Sequence, residues 1–376
     1  MASPRKILIL GASYGSLLAT KLLLASQDVT LVGFSHEADL INSEGTRVRL
    51  SLKRGAGLIE IDSRKLPGKL DAMTPEAVAP SKYDLICLAM QEPQYHSAEI
   101  RELMSRIAAS RKPVLSIMNM TPPPFLARIP GVDLTALEFC YAAIKDWNGF
   151  APALFTQASS DPQAFRPPGE PPNVLQVTLA SNFKAASFED AAQTAMLLEL
   201  GTAINAARFD LGDGRRCRVP VNFKLHNSVF VPLAKWSMLL TGNYRCIEVE
   251  RIRSIREAVH SDLAASRDIY DWVGDVLCAI GARKAEIVPF NDYAHAALSL
   301  TNPSSVARAL ARGGTEIERV DLLVKNVAAL KSMRNRHVDS IVNLIDSWIL
   351  RRHRRRGGNG GNKETLSVSS MSRSPC

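Results

Sequence analysis

Residues 7–10 read Ile-Leu-Ile-Leu and stop at Gly11. A short unbroken apolar run suits a strand buried on both faces, which a parallel sheet covered by helices provides. The turn Gly11-Ala12-Ser13-Tyr14-Gly15-Ser16 opens an amphipathic helix over residues 17–25, and a second strand follows at 29–34. The strand–helix–strand unit spans about 30 residues, its usual size. Further strands are expected at 58–61, 84–90 and 113–118, each followed by a polar or Pro-rich loop. Residues 133–150 read as one or two more strands that lead the chain out of this sheet.

The second half has a different period. The stretch 159–173 is rich in Pro and Gly and predicts a surface loop. From about residue 188 the pattern is helical, with apolar periodicity over 191–207, 224–240, 252–280, 304–330 and 338–350. A chain of 376 residues exceeds one small core and suits two domains. The expected fold class is α/β: a parallel-sheet domain over 1–187, an all-helical domain over 188–350, and a disordered basic tail over 351–376. That tail explains most of the net charge of +9, since it holds seven Lys/Arg against one acid and leaves +3 elsewhere. Its arginine run lacks base-stacking aromatics, so no nucleic-acid partner is expected. The six cysteines are scattered without metal-ligand spacing, and no metal site is expected. No segment approaches the roughly 20 apolar residues of a membrane span, and the start carries no secretory pattern. The expectation is a cytoplasmic protein with no membrane partner.

Several residues could carry chemistry. Backbone N–H groups at a helix start attract a pyrophosphate, which makes Gly11, Ala12, Ser13, Tyr14, Gly15 and Ser16 a candidate dinucleotide turn. Ser13 and Ser16 stand where two glycines of a GxGxxG pattern would be, so a tight turn without a ligand is the other reading. At the end of the second strand an acid would bind the ribose of NAD. Gly33-Phe34-Ser35-His36 stands there instead, with Glu37 one residue on, which favours NADP and makes Ser35 a candidate phosphate neighbour. Gln91 and Asn119 lie at the carboxyl ends of later strands, where ligands bind in open α/β sheets. Lys224 opens an apolar helix and could act as a general acid, or could be a solvated lysine at a domain boundary. Asn302-Pro303-Ser304-Ser305 reads as a helix start. Of the two acids Glu316 and Glu318, one is expected to face a cleft and the other solvent.

Together these residues resemble the ketopantoate reductase family. The matching pieces are Lys6 to Gly11 with its turn, Gln91-Glu92-Pro93-Gln94, Asn119, Lys224-Leu225, Pro232-Leu233 running into Leu240-Thr241-Gly242-Asn243-Tyr244, and Ser304-Ser305 before Thr315-Glu316-Ile317. The resemblance is distant and spans residues 5–350. It implies a Rossmann domain followed by a helical domain like that of 6-phosphogluconate dehydrogenase, and reduction of a 2-oxo acid by NADPH, with NADH also possible. It gives Lys224 the role of proton donor and Glu316 that of binding the substrate hydroxyl. Asn119, Asn227, Ser228 and Ser305 would contact substrate, and a homodimer is possible. The chain departs from the family at Gln91, where a lysine is usual, and at Ser228, where an asparagine is usual. The serine-to-glutamate spacing is also one residue short. An opine dehydrogenase-like enzyme with a His226 or His295 relay, and a non-catalytic dinucleotide-binding regulator, are the alternative readings.

Overall fold

The computed structural model describes residues 3–52, 57–159, 161–212 and 214–358. In chain order the strands are β1 (Lys6–Leu10), β2 (Asp28–Val32), β3 (Arg47–Ser51), β4 (Leu58–Asp62), β5 (Leu70–Met73), β6 (Leu85–Leu88) and β7 (Val114–Ser116). They continue as β8 (Phe155–Ser159), β9 (Gln163–Phe165), β10 (Val174–Leu179), β11 (Phe183–Ala186), β12 (Phe209–Asp210), β13 (Arg216–Cys217) and β14 (Phe223–His226). The helices of the first half are α1 (Gly15–Leu24), α2 (Ser35–Glu44), α3 (Ala98–Ser110), α4 (Pro123–Leu126) and α5 (Ala191–Ala206). Then come α6 (Phe230–Leu233), α7 (Lys235–Met238), α8 (Ile255–His260), α9 (Leu263–Ala279), α10 (Phe290–Ala297), α11 (Ser305–Ala311), α12 (Val320–Ala329) and α13 (Arg336–Gly358).

The apolar run of β1 sits at the middle of an eight-stranded sheet ordered β14-β11-β8-β7-β6-β1-β2-β5. From β5 through β8 the neighbours are parallel, as the continuous hydrophobic strands require. The chain leaves β1 toward β2 and β5, then returns to β6 on the other side of β1. That reversal opens a crevice at the carboxyl ends of β1 and β6, where open α/β sheets bind ligands. Two cores result. One lies under α1 and α5 and includes Ile7, Ile9, Leu31, Leu197 and Phe223. The other runs without a break from Leu8, Leu10 and Leu88 on the opposite face into Trp236, Tyr270, Val324 and Trp348 of the helical half. The two halves therefore share buried apolar surface.

Several expectations change. Residues 223–226 form β14, the edge strand beside β11, so Lys224 does not open a helix. The sheet layer with α5 extends to His226 rather than ending at 187, because Phe223 and the apolar face of α5 complete the same core. Residues 133–150 hold short 3-10 turns at Thr135–Cys140 and Ile144–Trp147 instead of strands. The strand at 58–62 is antiparallel to β3 in a separate four-stranded sheet, β4-β3-β10-β9. β9 lies inside the expected Pro-rich loop. The long periodic stretches break into shorter helices: Asp262 caps α9 by accepting from Ala265 N at 2.9 Å. α13 continues through residue 358 where disorder was expected to begin at 351; the guanidinium groups of Arg351 and Arg352 lie over the Trp348 ring at 5.6 and 5.7 Å. The rest of the expected tail lies outside the described residues. Among the described residues no helix is long and apolar enough to cross a membrane, and no cluster of three His, Cys, Asp or Glu could hold a metal.

Gly11 fixes the crevice geometry. Its φ is +103°, and a Cβ there would fall 2.8 Å from the Ala89 carbonyl oxygen. Gly11→Ala is expected to destabilise the fold by about 2 kcal/mol through backbone strain and overpacking. The check is the midpoint of thermal unfolding, which should fall by several degrees.

Candidate active site

Three strand exits converge on the crevice: Gly11 after β1, Gln91 after β6 and Asn119 after β7. The glycine turn is compact. Gly15 N donates to the Gly11 carbonyl at 3.2 Å, and the Ser16 hydroxyl donates to the Ala12 carbonyl. The N–H groups of Ala12, Ser13 and Tyr14 make no hydrogen bond among the described residues, so they remain for an anion at the start of α1. The Tyr14 hydroxyl donates to the Pro162 carbonyl at 3.0 Å, and its ring meets Phe183 edge-on.

At the end of β2 the arrangement corrects the sequence reading. An acid does stand there: buried Glu37 folds back beneath Gly33, its carboxylate 2.8 Å from where a Gly33 Cβ would be. Arg166, just beyond β9, pairs with that carboxylate. Ser35 opens α2 in an exposed position, between exposed Phe34 and the parallel ring of His36. The end of the crevice beyond β2 thus carries one acid and one arginine.

At the strand exits, a small cleft is lined by Gln91, Asn119, Asn243, Ser305, Ile317 and Glu318, among others. Glu318 is buried and bridges the two halves. Its carboxylate accepts from Asn119 Nδ2 and from Met120 N, each at 3.2 Å. Its own carbonyl accepts from the Tyr244 hydroxyl, which in turn accepts from Val320 N at 2.9 Å. Burial pushes the Glu318 carboxyl up, and those hydrogen bonds with nearby Lys235 pull it back. Ser305 is the first residue of α11; its neighbour Ser304 caps that helix, accepting from Ala307 N at 3.2 Å and donating to the Asn243 carbonyl.

Lys235 opens α7, eight residues before Asn243. Its side chain is only 16% exposed, and its ammonium lies 3.8 Å from Asp161 Oδ1. Burial lowers its pKa, Asp161 and Glu318 raise it again, and Lys184 opposes them. A lysine that is buried, paired with one acid and influenced by a second that lines the cleft is a candidate acid.

The expected residues divide accordingly. Gly11 through Ser16, Gln91, Asn119 and Ser305 come together at the crevice. Lys224 does not: it is exposed on the edge strand β14. Asn227 is exposed beyond that strand, and the Ser228 hydroxyl accepts from Phe230 N at 3.1 Å at the start of α6. Glu316 faces solvent, with 72% of its side chain exposed, near His96. Its neighbour Glu318 is the inward acid of the pair. His226 is half-buried on the edge strand and His295 is exposed, so neither stands at the crevice. Lys235 and Asp161 were missed. The signal for Lys235 was available: it interrupts the apolar run Val231-Pro232-Leu233-Ala234 and Trp236, where a lysine has to be buried and paired.

Comparison with known proteins supports the fold. No protein-family model and no curated protein matches this chain. Solved structures do. A probable 2-dehydropantoate 2-reductase from Bacillus subtilis is 15% identical with a TM-score of 0.60, over 91% of this chain and 99% of that one. A ketopantoate reductase from Ralstonia eutropha is 14% identical with a TM-score of 0.57, over 93% and 99%. A dimeric ketopantoate reductase from Staphylococcus aureus is 11% identical with a TM-score of 0.58, over 92% and 99%. The chain has the fold of these reductases along nearly its whole length.

Glu92, beside Gln91, gives a test of the buried charge at this site. Its carboxylate accepts from Ala142 N at 3.1 Å, and burial raises its pKa from 4.5 to about 7. The folded state binds this proton more tightly than the unfolded chain does. Its stabilising contribution is therefore complete below about pH 4.5 and is lost as pH rises through about 7. Glu92→Gln keeps an acceptor and removes the titration. Relative to wild type, the variant should gain up to about 3 kcal/mol between those two pH values, measured by urea unfolding.

Proposed function

We propose that this chain is an NAD(P)H-dependent oxidoreductase that reduces the keto group of a 2-oxo acid, as ketopantoate reductases do with 2-dehydropantoate. The observation that carries the reading is Lys235, a buried lysine paired with Asp161, whose neighbour Pro162 accepts a hydrogen bond from Tyr14 of the glycine turn with its unbonded N–H groups. Those N–H groups and the start of α1 suit a dinucleotide pyrophosphate. The dinucleotide, when bound, supplies the hydride. The chain supplies the rest. Lys235 stabilises the alkoxide charge that develops on the carbonyl oxygen and gives it a proton. Ser305 with the adjoining N–H groups of α11 holds the carboxylate of the substrate, and Asn243 stands beside them. Glu318 accepts a hydrogen bond from a substrate hydroxyl, while Asn119 orients both Glu318 and the reacting group.

NADPH is the proposed coenzyme, with NADH the alternative. Arg166 favours a 2′-phosphate through its planar fork of donors, and buried Glu37 beneath it favours a free ribose hydroxyl. The guanidinium is the more exposed of the two, at 35% against 10% for the Glu37 side chain, and so meets the ligand first. Arg166→Ala should weaken NADPH binding about tenfold while leaving NADH binding within about twofold, measured by fluorescence titration.

Lys235→Ala is expected to lower turnover of a 2-oxo acid at least ~100-fold, the scale of losing a general acid. Lys224→Ala is expected to retain turnover. Steady-state assays of NADPH oxidation against a panel of 2-oxo acids decide it. Full activity in a folded Lys235→Ala protein removes the proposed role.

A further inference from the structure

We propose that Asp161 is a positioning residue for Lys235, holding its ammonium in place and charged, with Lys184 as the second anchor of the same carboxylate. The inference rests on the reading of Lys235 as proton donor. Asp161 follows β8, which is parallel to β7, so it emerges at the same sheet edge as Gly11, Gln91 and Asn119. Its side chain is 13% exposed and is shared by two lysines: Oδ2 lies 3.3 Å from Lys184 Nζ, and Oδ1 lies 3.8 Å from Lys235 Nζ. Lys184 reaches it from β11, where it is paired in register with Ser159 at the end of β8.

The division of the carboxylate has a chemical consequence. Among the described residues, the charged groups that act on Lys235 from the elements packed around it are Asp161 after β8, Lys184 on β11 and Glu318 after α11. Burial and Lys184 both favour a neutral amine, which has no proton to give a developing alkoxide. Asp161 is the counterion that offsets them. When Lys235 moves to a carbonyl oxygen, Asp161 keeps Lys184 as its partner and is not left as an uncompensated buried charge. The proton passes from the Lys235 ammonium to the alkoxide; Asp161 gives up none. Pro162 adjoins Asp161 and accepts from the Tyr14 hydroxyl, which ties the carboxylate to the glycine turn as well.

The test titrates Lys235 directly in the ligand-free protein, by pH-dependent competitive acetylation with mass-spectrometric readout at that residue. Asp161→Asn should lower the titration midpoint of Lys235 by at least one pH unit, Lys184→Met should raise it, and Asp161→Glu should restore it toward wild type. In turnover assays the alkaline limb of kcat/KM should move with the midpoint, so that Asp161→Asn loses about tenfold at high pH and little at pH 6. A Lys235 midpoint that stays put in folded Asp161→Asn overturns the proposal, whatever the reaction proves to be. Inactivity of wild type toward every 2-oxo acid overturns the reading of function instead, and leaves the titration result to stand on its own.

Discussion

Buried Glu318 is the interaction on which the arrangement depends. A carboxylate taken out of water costs several kcal/mol unless charges and donors replace its hydration. Here donors at the sheet edge replace the carboxylate's water, and a separate bond holds its backbone within the helical half. Asn119 and Met120, at the exit of β7, donate to its side chain, and Tyr244 in the helical half donates to its backbone carbonyl. The shared apolar core brings the two halves together, but dispersion and hydrophobic burial are tolerant of small shifts. The carboxylate is not. It is satisfied in one registration of sheet against helices, and in that registration the strand exits face Lys235 and Ser305.

The elements legible in the sequence are those whose pattern is local. Strands β1, β6 and β7 read correctly because each is a continuous apolar run, the mark of a strand covered on both faces. β3 and β4 alternate polar and apolar residues, as in Arg47-Val48-Arg49-Leu50, and form a separate small sheet with one wet face, so nothing marks them as part of the main layer. Phe223-Lys224-Leu225-His226 alternates with period two and is a strand. The helical apolar period of residues 229–240 happens to continue backward across it and conceals that alternation. The Gly313-Gly314 break between α11 and α12 and the Asp262 cap of α9 are short-range stop signals that the longer apolar periodicity concealed.

The site was half legible for a related reason. Gln91, Asn119 and Ser305 are found from position alone, since each ends a strand or starts a helix. The lysine and the acid are defined by long-range packing. Lys224 and Lys235 are eleven residues apart and both precede apolar helix; only the sheet topology, which places one on an open edge and the other against Asp161 and Glu318, separates them. The choice between Glu316 and Glu318 is similar. Between them Ile317 is buried, so a single turn of backbone decides which neighbour faces inward, and the hydrogen bonds from the β7 exit fix that turn.

The helix that carries Lys235 also shows how the cleft is shaped. Beyond α7 the chain widens into a π-helical turn over Leu239–Asn243, a departure that recurs at functional sites. Tyr293 of α10 donates to the Met238 carbonyl at 3.0 Å, at the start of this wide turn. Its hydroxyl passes so near Gly242 that a Cβ there would fall 2.0 Å from the oxygen. A residue with a side chain at 242 would push Tyr293 away, free the Met238 carbonyl and let the turn relax toward an ordinary helix. Asn243 would then rotate relative to Lys235. The spacing of Lys235 and Asn243 is therefore set by a tyrosine on a different helix and by the absence of one side chain, neither of which touches the cleft itself.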